Sequence, residues 1–147
     1  MKRLALLPLA LTLSACINDD LVLDEIELRG SIVVEPDMSD MGGTIHLEFH
    51  HAFSGSGELE HPLGLIERSE LEPGARELDH TLLVPRDEGE GLVVYAWLDR
   101  DGDGILCGLE GDAAEPAGAI TLDYPPYTLE FELTLDQPCA GPELAMR

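Results

Sequence analysis

Asp99, Asp101 and Asp103 occupy alternate positions in the run Asp99-Arg100-Asp101-Gly102-Asp103-Gly104-Ile105-Leu106-Cys107-Gly108-Leu109-Glu110. Carboxylates so spaced can converge on one hard cation while the chain turns back on itself. Gly104, sixth in the run, supplies the backbone freedom that a sharp bend needs. Ile105 follows it and offers its main-chain carbonyl. Glu110, in twelfth place, is long enough to reach back with both oxygens. The run fits the twelve-position pattern of a calcium loop at each of these places, so Ca²⁺ is the ligand it implies. Asp112 stands two residues further on as a possible extra oxygen donor. Position nine departs from the pattern. It holds Cys107, and a soft sulfur is a poor ligand for a hard cation. The plain alternative is an acidic, solvated turn held by side-chain-to-backbone hydrogen bonds.

A second set of donors is His46, Glu48 and His50. Alternate residues of a strand project to one face, so two imidazoles and a carboxylate could grip a transition metal. His51 and His61 are two further imidazoles that could add to them. The same spacing also describes the ordinary polar face of a half-exposed strand. Catalytic arrangements are weak throughout. Ser54 and Ser56 lie in a Gly-Ser stretch without a Gly-x-Ser-x-Gly elbow. No glycine-rich phosphate loop precedes a helix. With 30 acidic residues in the chain, paired carboxylates carry no information. The expectation is a protein that is not an enzyme.

The elements that must position these residues read as strands. Ile26, Leu28, Ile32 and Val34 alternate with Glu27, Arg29 and Val33 around Gly30. Thr44 to His51 alternates cleanly, with Ile45, Leu47 and Phe49 on one face. Leu63 to Ile66 suggests a short strand, and Leu78 to Val84 one stopped by Pro85. Leu92 to Leu98 is almost continuously apolar, as a buried central strand would be, and it delivers the chain into Asp99. Ala117 to Leu122 and Tyr127 to Leu135 are the last strands, separated by Pro125 and Pro126. Residues after Cys139 read as a loose tail. Short strands with Gly/Pro turns, no long helix and no repeat predict an all-β protein, an antiparallel β-sandwich of transthyretin or immunoglobulin type. A small closed barrel is the other solution.

The N-terminus reads as an address. Lys2 and Arg3 precede an apolar run, Leu4 to Leu13, which is too short to span a bilayer as a mature helix. The run ends in Leu13-Ser14-Ala15-Cys16, which resembles the lipobox of bacterial lipoproteins. That resemblance implies cleavage before Cys16 and a diacylglyceryl group on its thiol. It places the mature protein on the bacterial cell envelope, held to the membrane through lipid. Ile17 is compatible with the outer membrane or cell surface rather than the inner membrane. The expected division is a signal peptide (1–15), forming a helix, a tether (16–24), a β-sandwich domain (25–139) and a flexible tail (140–147).

Removing residues 1–15 leaves 132 residues, enough for one domain with one core. It takes away Lys2 and Arg3 and no acid, so the formal charge moves from −22 to −24. Such a charge argues against nucleic acid and against docking on anionic lipid by charge. With Cys16 given to lipid, Cys107 and Cys139 remain as an even pair in a disulfide-permissive compartment. Bridged, they would fasten the Asp loop to the last strand. Unbridged, they would be two buried thiols.

An EF-hand would flank the loop with helices. Here a strand enters, and Gly111 and Pro116 oppose a helix after it. A strand such as Val93-Val94-Tyr95-Ala96-Trp97-Leu98 running into Asp-x-Asp-Gly-Asp-Gly, then Glu115-Pro116-Ala117-Gly118, resembles calcium-binding sandwich modules of bacterial surface proteins. The two similar groups are the B repeats of adhesins and exported domains of the transthyretin-like or carboxypeptidase-regulatory-like kind. Both imply a binding or structural module that meets an envelope protein or a glycan. A carrier or sensor built on His46, Glu48 and His50 is the next reading, and a hydrolase the last.

Overall fold

The computed structural model of the chain describes residues 22–34, 42–52, 54–55, 58–59, 64–85, 91–107, 114–123 and 127–145. The expected signal peptide, Cys16, the expected tether as far as residue 21, His61, Glu110 and Asp112 lie outside the described residues. Among the described residues, ten strands and one short helix follow in order: β1 (Leu23–Val34), β2 (Thr44–Ala52), β3 (Ser54–Gly55), β4 (Glu58–Leu59), β5 (Gly64–Leu71), β6 (Glu77–Pro85), β7 (Gly91–Asp99), β8 (Pro116–Asp123), β9 (Thr128–Leu135), β10 (Gln137–Pro138) and α1 (Pro142–Ala145). No helix among the described residues is long and apolar enough to cross a membrane.

Two sheets face each other. One has the order β6-β1-β9 and the other β10-β8-β7-β2-β5, with β3-β4 a separate small hairpin. Alternation explains the packing. Ile26, Leu28, Ile32 and Val34 of β1, Leu82 and Val84 of β6, and Leu129, Leu133 and Leu135 of β9 point inward. They meet Ile45, Leu47 and Phe49 of β2 and Leu92, Val94, Ala96 and Leu98 of β7 in one core. Buried side chains of this size each contribute about 1.5–3 kcal/mol. The result is the expected all-β sandwich, open at the edges β5, β6, β9 and β10, not a closed barrel.

Most pairings are antiparallel. β1 departs from this, because it sits at the centre of its sheet and runs parallel to β9. Gly118 of β8 lies where the two sheets come together, and a side chain there would collide with the carbonyl of Thr134. β5 is twice the length expected from Leu63 to Ile66. As an edge strand it exposes Glu67, Arg68 and Glu70, and only Ile66 and Leu71 pack against the core, so its period was masked by charge.

β7 is buried along its whole length because both of its faces are covered. Leu92, Val94, Ala96 and Leu98 face the main core. On the other face Tyr95 and Trp97 join Ala117, Ala140 and Ala145 in a second cluster. The cover comes from the segment expected to be a loose tail. It is packed through Ala145 instead. β10 pairs with β8, Tyr95 Oη donates to the Ala140 carbonyl at 2.7 Å, and Gln137 Nε2 donates to the Ala145 carbonyl at 3.2 Å.

Candidate metal centre

β7 ends at Asp99, which is 3% exposed, and the chain turns at once into the acidic loop. The Gly102 N–H donates to Asp99 Oδ1 at 2.7 Å and the Gly104 N–H to Oδ2 at 3.0 Å. The Asp103 N–H donates to Asp101 Oδ1 at 3.0 Å, and the Ile105 N–H to Asp103 Oδ1 at 2.7 Å. Each carboxylate thus holds the backbone two to five residues ahead and winds the loop about itself. Gly102 and Gly104 take φ values of 80° and 73°, where a side chain would be strained.

One carboxylate oxygen from each of Asp99, Asp101 and Asp103 lies within 4.8 Å of the others. Among the described residues this is the group of three or more donors that could share an ion. Exposed acids also cluster without one, but two features are unlike a random acidic patch. Asp99 is buried while Asp101 and Asp103 are exposed. Burial pushes the Asp99 carboxyl up, yet the Gly102 and Gly104 N–H groups, with the His46 ring, outweigh this and hold it below its usual range. It is therefore ionised at neutral pH. The three donors are carboxylate oxygens, and together they could hold a metal ion. Cys107 contributes no thiolate, because it is joined to Cys139. The Ile105 side chain is exposed, and its position seven follows the Gly104 bend as the spacing requires.

Glu115 closes the loop, a role that its place before Pro116 does not reveal. It is 2% exposed. Its Oε1 accepts the Arg100 N–H at 2.9 Å and its Oε2 the Cys107 N–H at 2.6 Å, so one carboxylate grips both ends of the loop. Its main-chain N–H donates to Cys107 Sγ at 3.3 Å, and its carbonyl accepts the Cys139 N–H at 2.8 Å. The disulfide Cys107–Cys139 spans 32 residues of sequence beside these contacts. Loop, β8 and the C-terminal segment are thereby fastened at one point.

His46, Glu48 and His50 do share the outer face of β2, as alternation requires, but only His50 and Glu48 meet, and His46 turns to Asp99 and Glu70. His46 Nε2 approaches Asp99 Oδ2 at 3.4 Å and its Nδ1 lies 3.2 Å from Glu70 Oε1, while its ring stacks on Trp97 with centroids 4.4 Å apart. His50 Nε2 lies 3.1 Å from Glu48 Oε2, and Arg68 Nε donates to Glu48 Oε1 at 2.8 Å. The His50 contact chiefly holds the Glu48 carboxyl below its ordinary value; burial opposes it and Arg68 assists. Burial pushes the Tyr95 hydroxyl well above its normal range, with the charges of Glu48 and Glu115 adding to it.

No family model matches the chain, and no curated protein or solved structure gives a significant match to it.

Proposed function

We propose that this chain is a lipid-anchored, calcium-stabilised β-sandwich that acts on the bacterial envelope as a non-catalytic binding or structural module. The observation that carries the proposal is the convergence of Asp99, Asp101 and Asp103 in a loop whose sixth residue, Gly104, returns its N–H to the first. Asp99, Asp101, Asp103 and the Ile105 carbonyl would hold the ion, with Glu110 as the twelfth-position donor and Asp112 as an additional oxygen. The ion would neutralise clustered negative charge in a chain of formal charge −22 and fix the loop against the sheet.

Calorimetric titration of the chelator-treated soluble domain tests the loop. One Ca²⁺ is expected per chain. Free calcium at one hundred times the dissociation constant should stabilise the fold by about 2.7 kcal/mol. Asp101→Ala should abolish most of the binding, and Asp101→Asn should do so less, because the amide keeps a neutral oxygen. Magnesium should bind poorly, since it demands a tight octahedron. Absence of both binding heat and a rise in melting temperature at millimolar calcium would reduce the loop to an acidic turn.

The anchor rests on Leu13-Ser14-Ala15-Cys16 and on the disulfide, which suits an oxidising compartment. Mass spectrometry of the mature protein should find a diacylglyceryl-modified N-terminal Cys16. An unmodified N-terminus elsewhere would remove the anchor from the proposal.

A further inference from the structure

The two cysteines of the bridge each adjoin a residue that covers the sole tryptophan of the chain. Leu106 precedes Cys107 and Ala140 follows Cys139, and both pack into the cluster of Tyr95, Trp97, Ala117 and Ala145. Trp97 is only 7% exposed there. The disulfide therefore joins two pieces of one cover. Apart from it, the C-terminal piece is lightly held. Two alanines supply its buried contacts, β10 pairs with β8 over two residues, and α1 is a helix of four. The other ties are the hydrogen bonds from Tyr95 Oη to the Ala140 carbonyl, from Gln137 Nε2 to the Ala145 carbonyl and from the Cys139 N–H to the Glu115 carbonyl. The bridge also sits where thiol exchange can reach it. Cys139 is exposed and Cys107 half-buried. Among the described residues they are the two non-glycines in left-handed backbone, where a Cβ crowds the carbonyl. Exposed or strained disulfides are the labile ones, whereas well-packed ones resist reduction.

We propose that Cys107–Cys139 is a redox clasp, opened at Cys139 by a dithiol reductant, and that opening it uncovers Trp97. One thiolate of the reductant attacks Cys139 Sγ. The disulfide bond breaks and its electron pair leaves on Cys107 Sγ, which takes a proton from water. The Glu115 N–H already donates to that sulfur at 3.3 Å and favours it as the leaving group. The Glu115 carboxylate opposes charge there, but its two oxygens are engaged by the Arg100 and Cys107 N–H groups. The second thiolate of the reductant then attacks the reductant's own sulfur in the mixed disulfide, and Cys139 leaves and is protonated in turn. The bridge gains two electrons and two protons, and the dithiol loses as many and becomes a disulfide. Leu106 and Ala140 are then free to part, so the face of β7 that carries Tyr95 and Trp97 meets solvent. The core between the two sheets contains neither cysteine and stays closed. The inference goes beyond the calcium reading and does not depend on it, because neither cysteine is among the proposed ligands.

With a single tryptophan, fluorescence reads the cover directly. The folded protein, in chelator and without denaturant, is treated with dithiothreitol while Trp97 emission, acrylamide quenching and far-ultraviolet circular dichroism are followed. Complete reduction is expected, with a shift of emission to longer wavelength and stronger quenching, and with the sheet signal retained. Reoxidation should restore the first two. The Cys107→Ser/Cys139→Ser variant should show the shifted emission from the start and no response to dithiothreitol. A brief exposure to reduced glutathione, stopped with acid, should place the first adduct on Cys139, as read by mass spectrometry. A bridge that resists dithiothreitol until denaturant is added would overturn the proposal, as would loss of the sheet signal on reduction, since the bridge would then be a staple for the whole fold. Unchanged emission and quenching in the reduced protein, or a first adduct on Cys107, would overturn it as well. Calorimetry with calcium chloride on the oxidised protein reads the Asp loop separately, so failure of the clasp and failure of the metal site are distinct results.

Discussion

Glu115→Ala is expected to destabilise the domain by about 3 kcal/mol and to weaken calcium binding at the same time. The carboxylate accepts two charge-assisted hydrogen bonds, from the main chain at Arg100 and at Cys107, and bonds of that kind contribute roughly 1.5–3 kcal/mol each. Water can reach part of the vacated space, which keeps the loss towards the lower end of the sum. A lowering of melting temperature by roughly 10 °C corresponds to this. Glu115→Gln should lose about half as much, since its amide keeps one acceptor and turns an N–H₂ against the other donor. Calcium affinity should fall in both variants, because the ends of the loop are then no longer held in place before the ion arrives. Urea unfolding and calcium calorimetry on the same preparations measure the two effects. An alanine variant with an unaltered unfolding midpoint would show that the clasp contributes nothing.

Removing the disulfide should have an effect of similar size. Closing a segment of 32 residues is worth roughly 3–4 kcal/mol in the chain-entropy model. Against this, Cys107 and Cys139 sit at φ values of 47° and 55°, a left-handed backbone that costs about 1 kcal/mol or more for a residue with a side chain. Part of that cost is recovered when the bridge is gone, so the Cys107→Ser/Cys139→Ser variant should lose about 3 kcal/mol. Thiol labelling of the mature protein under denaturing, non-reducing conditions should find neither residue free. Stoichiometric labelling of both, or a double variant as stable as the parent, would contradict the assignment.

The sandwich was legible because its signals are periodic. Ile45, Leu47 and Phe49 alternate with polar neighbours, and the run from Leu92 to Leu98 is almost continuously apolar, so one reads as half-buried and the other as buried on both faces. The acidic loop was legible because glycine and aspartate recur at fixed places. The covering role of residues 140–145 was not. Two alanines supply its buried contacts, and alanine carries too little hydrophobic signal to mark a packed segment. Glu115 was hidden for the opposite reason. One acid among 30 says nothing until its two oxygens are seen to meet main-chain donors at both ends of a loop. The His46, Glu48 and His50 set shows the limit of spacing: alternation placed the side chains on one face, but neighbours on β5 and β7 decide which atoms meet. The parallel course of β1 and β9 leaves no mark in a single sequence, because parallel and antiparallel partners ask for the same alternation.

That parallel pairing bears on how the chain reaches its native state. Glu27 and Thr128 are opposite each other though 101 residues apart in sequence. β1 sits in the middle of its sheet, and its other neighbour, β6, begins at Glu77. The strand that emerges first therefore has no local partner and must wait for both. Closing such distant contacts is entropically costly before any of them is rewarded, which places this topology among folders of the millisecond-to-second range. Until β9 arrives, the three-stranded sheet cannot be completed. Over that interval β1 lacks its native neighbour β9, and Glu25, Glu27 and Arg29, which alternate with its apolar residues, oppose pairing of its open side with another chain.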